Sequence, residues 1–296
     1  MIDRYLLRYF LAVMDSGNFS RAAAQCNVSQ PTLSVGIAKL ERLLGRTLFH
    51  RTNRRVELTE AGVQFAGHAR RIESEFAAAE RSLVGDGATR PTLRLGILAS
   101  IPADWIGALS ARFAQRLGEE RIEVSEGREG ELLERLKRGR IDSALTIVRQ
   151  GDGEVLRSEG YALALPASHR LAQQPVVEAE ALAGDVMIVR RHCELLAETS
   201  RHFTARGVRP FFTARTTSDE RALAMVRAGL GVTVMPDGFA ADGVGRPRLA
   251  GFDHVRQIGL MLGAHVADEV REGSPALAAV REVIGTGSEH PAEAVE

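Results

Sequence analysis

Leu33, Ile37, Leu40 and Leu44 step by four, three and four, which places them in one stripe of a 3.6-residue helix and makes that stripe the side facing a core. On the other side, helical phase puts Pro31, Thr32, Ser34, Val35, Ala38, Lys39 and Arg42, a surface of small, hydroxyl and basic side chains. Ser29 is the expected N-cap. Pro31 falls in the first turn, where its missing N–H removes a donor that would be unpaired anyway. Just before, Ser20 to Gln25 carries Ala22, Ala23 and Ala24, small enough for two helices to cross closely, so the pair predicts a helix-turn-helix. Leu6, Phe10 and Val13 mark an earlier helix whose interspersed charges exclude a signal peptide.

Further on, Phe65, Ala69, Ile72, Phe76, Ala79 and Leu83 alternate steps of four and three, a heptad seam flanked by Arg70, Arg71, Glu73, Glu75, Glu80 and Arg81. A second copy of the chain is the expected cover for this seam; packing on the chain's own C-terminal part is the alternative. Gly85 to Pro91 ends the helix and reads as a hinge. Strands and helices then alternate. Leu93 to Ile97, Arg121 to Ser125 and Ser143 to Val148 read as strands around helices at Pro102–Gln115 and Gly130–Arg138, a βαβαβ unit with a parallel sheet. A second unit has strands at Tyr161–Leu165, Val186–Arg190, Phe211–Thr213 and Gly231–Met235, with helices at about Glu194–Ala205 and Asp219–Ala228. A return strand, Ile258–Leu262, and a helix, Ser274–Ile284, complete the first subdomain by a crossover. Two such lobes joined by two crossings form a hinged container whose ligand settles at the carboxyl ends of the strands.

The chain has 296 residues, 45% of them hydrophobic, enough for a small domain and one or two α/β domains. Its formal net charge of zero argues against nucleic acid until the distribution is considered. From Met1 to Glu60, Arg4, Arg8, Arg21, Lys39, Arg42, Arg46, Arg51, Arg54 and Arg55 outnumber Asp3, Asp15, Glu41, Glu57 and Glu60. The basic turn after Leu48-Phe49-His50 lies between two short extended pieces and reads as a wing whose arginines meet phosphates or the minor groove. Two cysteines, Cys26 and Cys193, suggest neither a zinc site nor a disulfide framework, and a reducing cytoplasm is expected. No apolar run approaches ~18 residues, so no membrane partner is expected. Without a phosphate loop, paired metal ligands or a dinucleotide fingerprint, neither a cofactor nor catalysis is expected. A solute-binding protein would explain the lobes but leave the basic N-terminal module without a purpose.

At this point the residues resemble the LysR-type transcriptional regulators. Leu11-Ala12-Val13, Gly17-Asn18-Phe19-Ser20 with Ala22-Ala23, Ser29-Gln30-Pro31-Thr32-Leu33-Ser34, Leu40-Glu41, Leu48-Phe49 with Arg51, and Leu58-Thr59 with Gly62 match the family's pattern at its usual spacing. Ser168-His169-Arg170-Leu171-Ala172 and Gly229-Leu230-Gly231-Val232 extend the likeness through most of the chain, until about Val266. Two departures stand out: Val35 and Gly36 replace polar or basic side chains, and Cys26 replaces leucine. The organisation expected is a winged helix-turn-helix at 1–59, a long linker helix and hinge at 60–87, and an α/β, two-lobed, periplasmic-binding-protein-like effector domain at 88–285. Lobe I covers about 91–160 and 265–285, lobe II about 161–264, and 286–296 is a disordered tail. The resemblance further implies dimerisation through the long helix, tetramerisation through the lobes, operator DNA carrying an interrupted inverted repeat, and contact with RNA polymerase.

In the first module, Ser29, Gln30, Pro31, Thr32, Ser34 and Val35 form the expected base-reading edge, with Val35 suited to a thymine methyl. Lys39, Arg51, Arg54 and Arg55 are the expected phosphate contacts. In the cleft, the strand ends nominate Ser100, Ile101, Arg128, Thr146, Arg191, His192, Cys193 and Thr217. Ser100, expected to begin the first lobe's helix, is either a plain N-cap or part of an anion site, and the resemblance implies a small carboxylate there. Cys193, expected at a helix start beside Arg190, Arg191 and His192, is where a thiolate is favoured. Its place directly after a histidine resembles the peroxide-sensing OxyR branch, which implies an oxidant as the alternative effector. His202 and Phe203 stand where the second, resolving cysteine would be and Leu196 replaces an acidic residue, so oxidation would stop at a sulfenic acid or mixed disulfide. The other possibility is a cysteine that only lines a pocket.

Overall fold

A computed structural model of the protein describes residues 1–51, 56–83, 92–116, 118, 120–149 and 151–285. The N-terminal head contains α1 (Arg4–Ser16), α2 (Phe19–Gln25), α3 (Gln30–Leu44), the antiparallel strands β1 (Phe49–Arg51) and β2 (Val56–Leu58), and the first turns of α4 (Glu60–Leu83). The two caps of the helix-turn-helix are made by side chains. Asn18 accepts from the amides of Ser20 and Arg21 at the start of α2, and Ser29 accepts from Thr32 at the start of α3; each contributes about 1 kcal/mol. The α3 stripe forms as expected: Leu33, Ile37 and Leu40 have no exposed surface and meet Leu6 and Phe10 of α1. Gly36 is buried on the same side, because a Cβ there would lie 2.6 Å from the ring of Tyr9. Glu41 holds the wing to α3 by accepting from the amides of Leu48 and Phe49. Gly62 lets α4 approach that corner, where a Cβ would meet the Leu48 carbonyl oxygen at 2.2 Å.

The expected seam of α4 divides. Phe65 packs edge-on against Phe10 with ring centroids 5.1 Å apart, and Ala69 is fully buried with Ala66 in the head core. Ile72 and Phe76 remain exposed. The first two positions of the seam, Phe65 and Ala69, are therefore covered by the chain's own head, because α1 lies alongside them. The same helix also touches the C-terminal part through Arg71, which donates to the Ala264 carbonyl. The expected hinge and the expected tail fall outside the described residues.

Lobe I is a five-stranded sheet in the order β4-β3-β5-β14-β6, built from β3 (Thr92–Leu98), α5 (Ala103–Arg116), β4 (Arg121–Gly127), α6 (Glu129–Lys137), β5 (Ser143–Ile147) and β6 (Glu154–Glu159). Its β3, β4 and β5 are parallel. Lobe II begins with β7 (Tyr161–Pro166) and β8 (Val176–Val177). It continues through β9 (Val186–Arg190), α7 (Leu196–Ala205), β10 (Phe211–Thr216), α8 (Asp219–Arg227), β11 (Thr233–Pro236), β12 (Val244–Gly245) and β13 (Arg248–Leu249). β9 pairs in parallel with β10 and is joined to β11's leading edge by hydrogen bonds through Val232. β14 (Arg256–Leu262), α9 (Asp268–Gly273) and α10 (Pro275–Gly285) return to lobe I.

Two expectations are corrected here. β14 lies antiparallel between β5 and β6, so the return strand Ile258–Leu262 completes lobe I as expected, but the lobe boundary expected at 264/265 falls before Arg256. β6 was not anticipated, because its Glu154, Arg157 and Glu159 break the apolar pattern that marks an interior strand; it is the edge strand of the sheet, where charges are tolerated.

Candidate DNA-binding face and inter-lobe cleft

The head presents the outer side of α3 as expected. Ser29, Gln30, Pro31 and Thr32 are exposed, Ser34 is half-exposed, and Val35 retains 69% of its surface. The Ser29 and Thr32 hydroxyl oxygens lie 2.7 Å apart, so the cap itself orients a hydroxyl at the outer edge. Lys39 already has partners: its ammonium donates to the Tyr5 hydroxyl at 2.9 Å and to Asp3 at 3.3 Å, and these bonds push its pKa up. Arg51 ends β1, and Arg54 and Arg55 lie outside the described residues.

Between the lobes the structure brings together residues that the strand-end reasoning mostly missed. Arg256, the first residue of β14 and 3% exposed, reaches toward both lobes. Its Nε donates to Glu159 at 2.8 Å, and its Nη1 donates to the Ser100 hydroxyl at 2.9 Å and to Glu194 Oε1 at 2.6 Å. Its Nη2 donates to the Ser100 carbonyl at 3.0 Å. The same Glu194 oxygen accepts from the Tyr161 hydroxyl at 2.6 Å, and Glu159 also accepts from the Gly238 amide at 2.6 Å. Burial works against the charge on Glu194, yet the Arg256 guanidinium and the Tyr161 hydroxyl prevail and hold its pKa below the usual value. The phenol of Tyr161 is pushed far up by burial and by the neighbouring carboxylate.

Of the eight nominated cleft residues, Ser100 joins this network, but not as a helix start. α5 begins at Ala103, and Ser100 is buried in the turn before it, since Pro102 delays the helix. The N-terminal amide of α5 is instead capped from the other lobe by Glu220, at 2.9 Å. Ile101 is buried. Thr146 is fully buried in β5 with its hydroxyl unpartnered, and His192 carries a buried, unpartnered Nε2. Arg128, Arg191 and Thr217 are exposed.

Cys193 also differs from expectation. α7 starts at Leu196, so the thiol sits in the preceding turn and not at a helix terminus. Its Sγ lies 3.5 Å from Arg190 Nη1, but Arg190 is already matched to Asp219. Burial pushes the thiol pKa up, Arg190 lowers it only in part, and Glu194 raises it again. These influences favour the thiol over the expected thiolate.

The missed residues leave a faint mark in the sequence. Arg256 is a charge directly at the start of the apolar strand β14, and Glu159 stands two residues before the apolar run of β7.

The family model for the bacterial regulatory helix-turn-helix protein, lysR family, matches residues 5–63, and that for the LysR substrate binding domain matches residues 86–286. The chain is 32% identical over 252 residues to a probable hydrogen peroxide-inducible genes activator of Mycobacterium avium, covering 82% of this chain and 80% of that protein. It is 29% identical over 236 residues to the DNA-binding transcriptional dual regulator OxyR of Escherichia coli K12, covering 78% and 77%. In fold it is similar to full-length OxyR of Pseudomonas aeruginosa carrying a cysteine-to-aspartate substitution, with a TM-score of 0.71 at 23% identity over 98% of this chain and 99% of that one. It is also similar to full-length CbnR complexed with its target DNA, with a TM-score of 0.52 at 22% identity over 95% and 98%.

Proposed function

The chain belongs to the LysR family of DNA-binding transcriptional regulators, and from that premise we propose that it binds an interrupted inverted repeat as a symmetric assembly whose grip is set by a small effector between the lobes. The observation that carries the DNA half is the exposed N-terminal edge of α3, capped by Ser29 and free of bulky side chains. Ser29, Gln30, Pro31, Thr32, Ser34 and Val35 read bases, while Lys39, Arg51, Arg54 and Arg55 hold phosphates. Residues 1–59 are the reading head, 60–87 the dimerising linker, and 88–285 the receptor. The assembly is a cytoplasmic tetramer that signals to RNA polymerase and performs no catalysis.

For the effector, a small carboxylate is the first reading, because Tyr161 and Arg256 converge on a carboxylate in the cleft, with Arg256 held by Ser100. An oxidant acting on Cys193 is the second, favoured by the hydrogen peroxide-inducible activators among the relatives. A screen of small acids by thermal shift and operator affinity, run beside peroxide titration of wild type and Cys193→Ser, separates the two. An acid-dependent melting shift supports the first; an operator footprint that changes on oxidation only when Cys193 is present supports the second. For the DNA half, Arg54→Ala weakens all sequences alike and reduces the salt slope by about one. A changed sequence preference would overturn this assignment of contacts.

A further inference from the structure

The cleft contains a carboxylate that belongs to the chain itself. Glu194 lies on the turn between β9 and α7 of lobe II, and its Oε1 takes one hydrogen bond from Arg256 and one from Tyr161, both at 2.6 Å. Arg256 is in turn fixed to lobe I through the Ser100 hydroxyl and carbonyl. A guanidinium and a phenol converging on one oxygen, both almost out of solvent, form a site for a carboxylate. The other anion-holding feature of lobe I is filled in the same way, since Glu220 of lobe II caps the first amide of α5. In both places an acidic side chain of lobe II therefore meets a donor of lobe I.

We propose that Glu194 is an internal ligand that occupies the place of a small monocarboxylate and ties the lobes together, and that an external monocarboxylate acts by replacing it. This rests on the cleft being the effector site.

Three observations identify Glu194 as the group that yields. Arg256 faces two carboxylates, Glu159 and Glu194, so its donors are already matched, and a further carboxylate reaches them only if one of the two leaves. Glu159 is held at the end of β6 and also accepts from the Gly238 amide, whereas Glu194 stands on a turn and is the more exposed of the two, at 12% against 4% of the side chain. Finally, Glu194 Oε2 is buried and has no hydrogen-bond partner. The tether keeps this carboxylate from turning to satisfy both oxygens, a restraint that a free carboxylate does not carry. The side chain of glutamate beyond Cα is that of propionate, which sets the size of ligand the place accepts.

The test compares wild type, Glu194→Ala and Glu194→Gln in the full-length protein, titrated with formate, acetate and propionate against chloride at equal ionic strength, reading melting temperature and operator affinity. Glu194→Ala should melt several degrees lower and be restored saturably by acetate or propionate. Wild type should need at least about tenfold more acid for the same shift. Glu194→Gln keeps the shape but gives up the charge that Arg256 holds, so it should yield to less acid than wild type needs; it also provides the arm that folds if the alanine protein does not, because a Gln protein that answers to acetate no better than wild type overturns the proposal. So does an alanine variant that shows no acid-dependent shift. The underlying reading fails separately: if acids restore Glu194→Ala while operator affinity stays unmoved in every protein, the place for a carboxylate stands and the cleft is not the effector switch. If acids change operator affinity of wild type and Glu194→Ala equally, the cleft reading stands and the role given to Glu194 falls.

Discussion

Arg190 and Asp219 meet as a two-pronged pair, Nε to Oδ1 at 2.7 Å and Nη2 to Oδ2 at 2.6 Å, with both side chains almost completely removed from solvent. The third nitrogen donates to the Val234 carbonyl at 2.8 Å, so one guanidinium joins the end of β9, the start of α8 and β11. A buried pair of this kind adds little over an apolar replacement, but removing one partner leaves the other charged and unmatched. Asp219→Ala should therefore destabilise the protein by about 3–5 kcal/mol, read as a lower urea midpoint. A loss under about 1 kcal/mol would show that water reaches Arg190 and that the pair is not buried in solution.

The Cys193 thiol is held up by burial and further by the negative charge of Glu194. Glu194→Gln removes that charge without changing shape, so the thiol pKa should fall and alkylation by iodoacetamide at neutral pH should accelerate. Rates across a pH series check this. Unchanged kinetics would mean that burial alone governs the thiol.

Val35 projects from α3 with most of its surface free, an apolar group at a place suited to a thymine methyl. Val35→Ser should redistribute preference at one operator base pair by roughly 1 kcal/mol or more, leaving non-specific affinity unchanged. Selection from a randomised operator library would reveal it; an identical logo from both proteins would remove Val35 from the reading edge.

On α4, Ile72 and Phe76 are exposed beyond the part of the seam that the head covers. Ile72→Glu places a charge where a second copy would pack, so sedimentation should show a shift toward monomer and the operator footprint should shrink to a half-site. Phe76 is the less clean choice, because Arg4 stacks on its ring at 4.6 Å. A dimer unaffected by Ile72→Glu would place the dimer contact elsewhere.

Asp142 accepts from Arg94 through its backbone N and both side-chain arms and lies 3.0 Å from His265 Nε2. Burial opposes its charge, but these donors outweigh burial and hold its pKa well below the carboxylate range. A depressed folded-state pKa adds stability above the unfolded value of about 4 and loses it as pH falls from there through the folded value. Asp142→Asn should therefore be less stable than wild type at neutral pH and show a flatter decline in stability on acidification. Parallel acid limbs for the two proteins would contradict this.

The head was legible because its signals are local. A four-three-four stripe, a serine cap and an early proline act within one or two turns, and α3 forms as they dictate, with Leu33, Ile37 and Leu40 buried. The alternating strands and helices of the lobes were legible for the same reason. The edge strand β6 was not, since its charges conceal it until β14 lies beside it. Nor could spacing show that the start of the α4 seam packs against the head, because Phe65 and Ile72 look alike along the helix and differ only in what the fold brings next to them.

The cleft depended most on tertiary structure. Ser100, Glu159, Glu194 and Arg256 are far apart along the chain, and their charges carry no periodicity. Whether they are solvated or matched to one another is decided only when two crossings bring β6 and β14 together beneath both lobes. Short-range pattern thus determined which elements exist and which face of each is apolar; the long-range fold decided which charges meet, because burying a charge is tolerable only where its partner arrives with it.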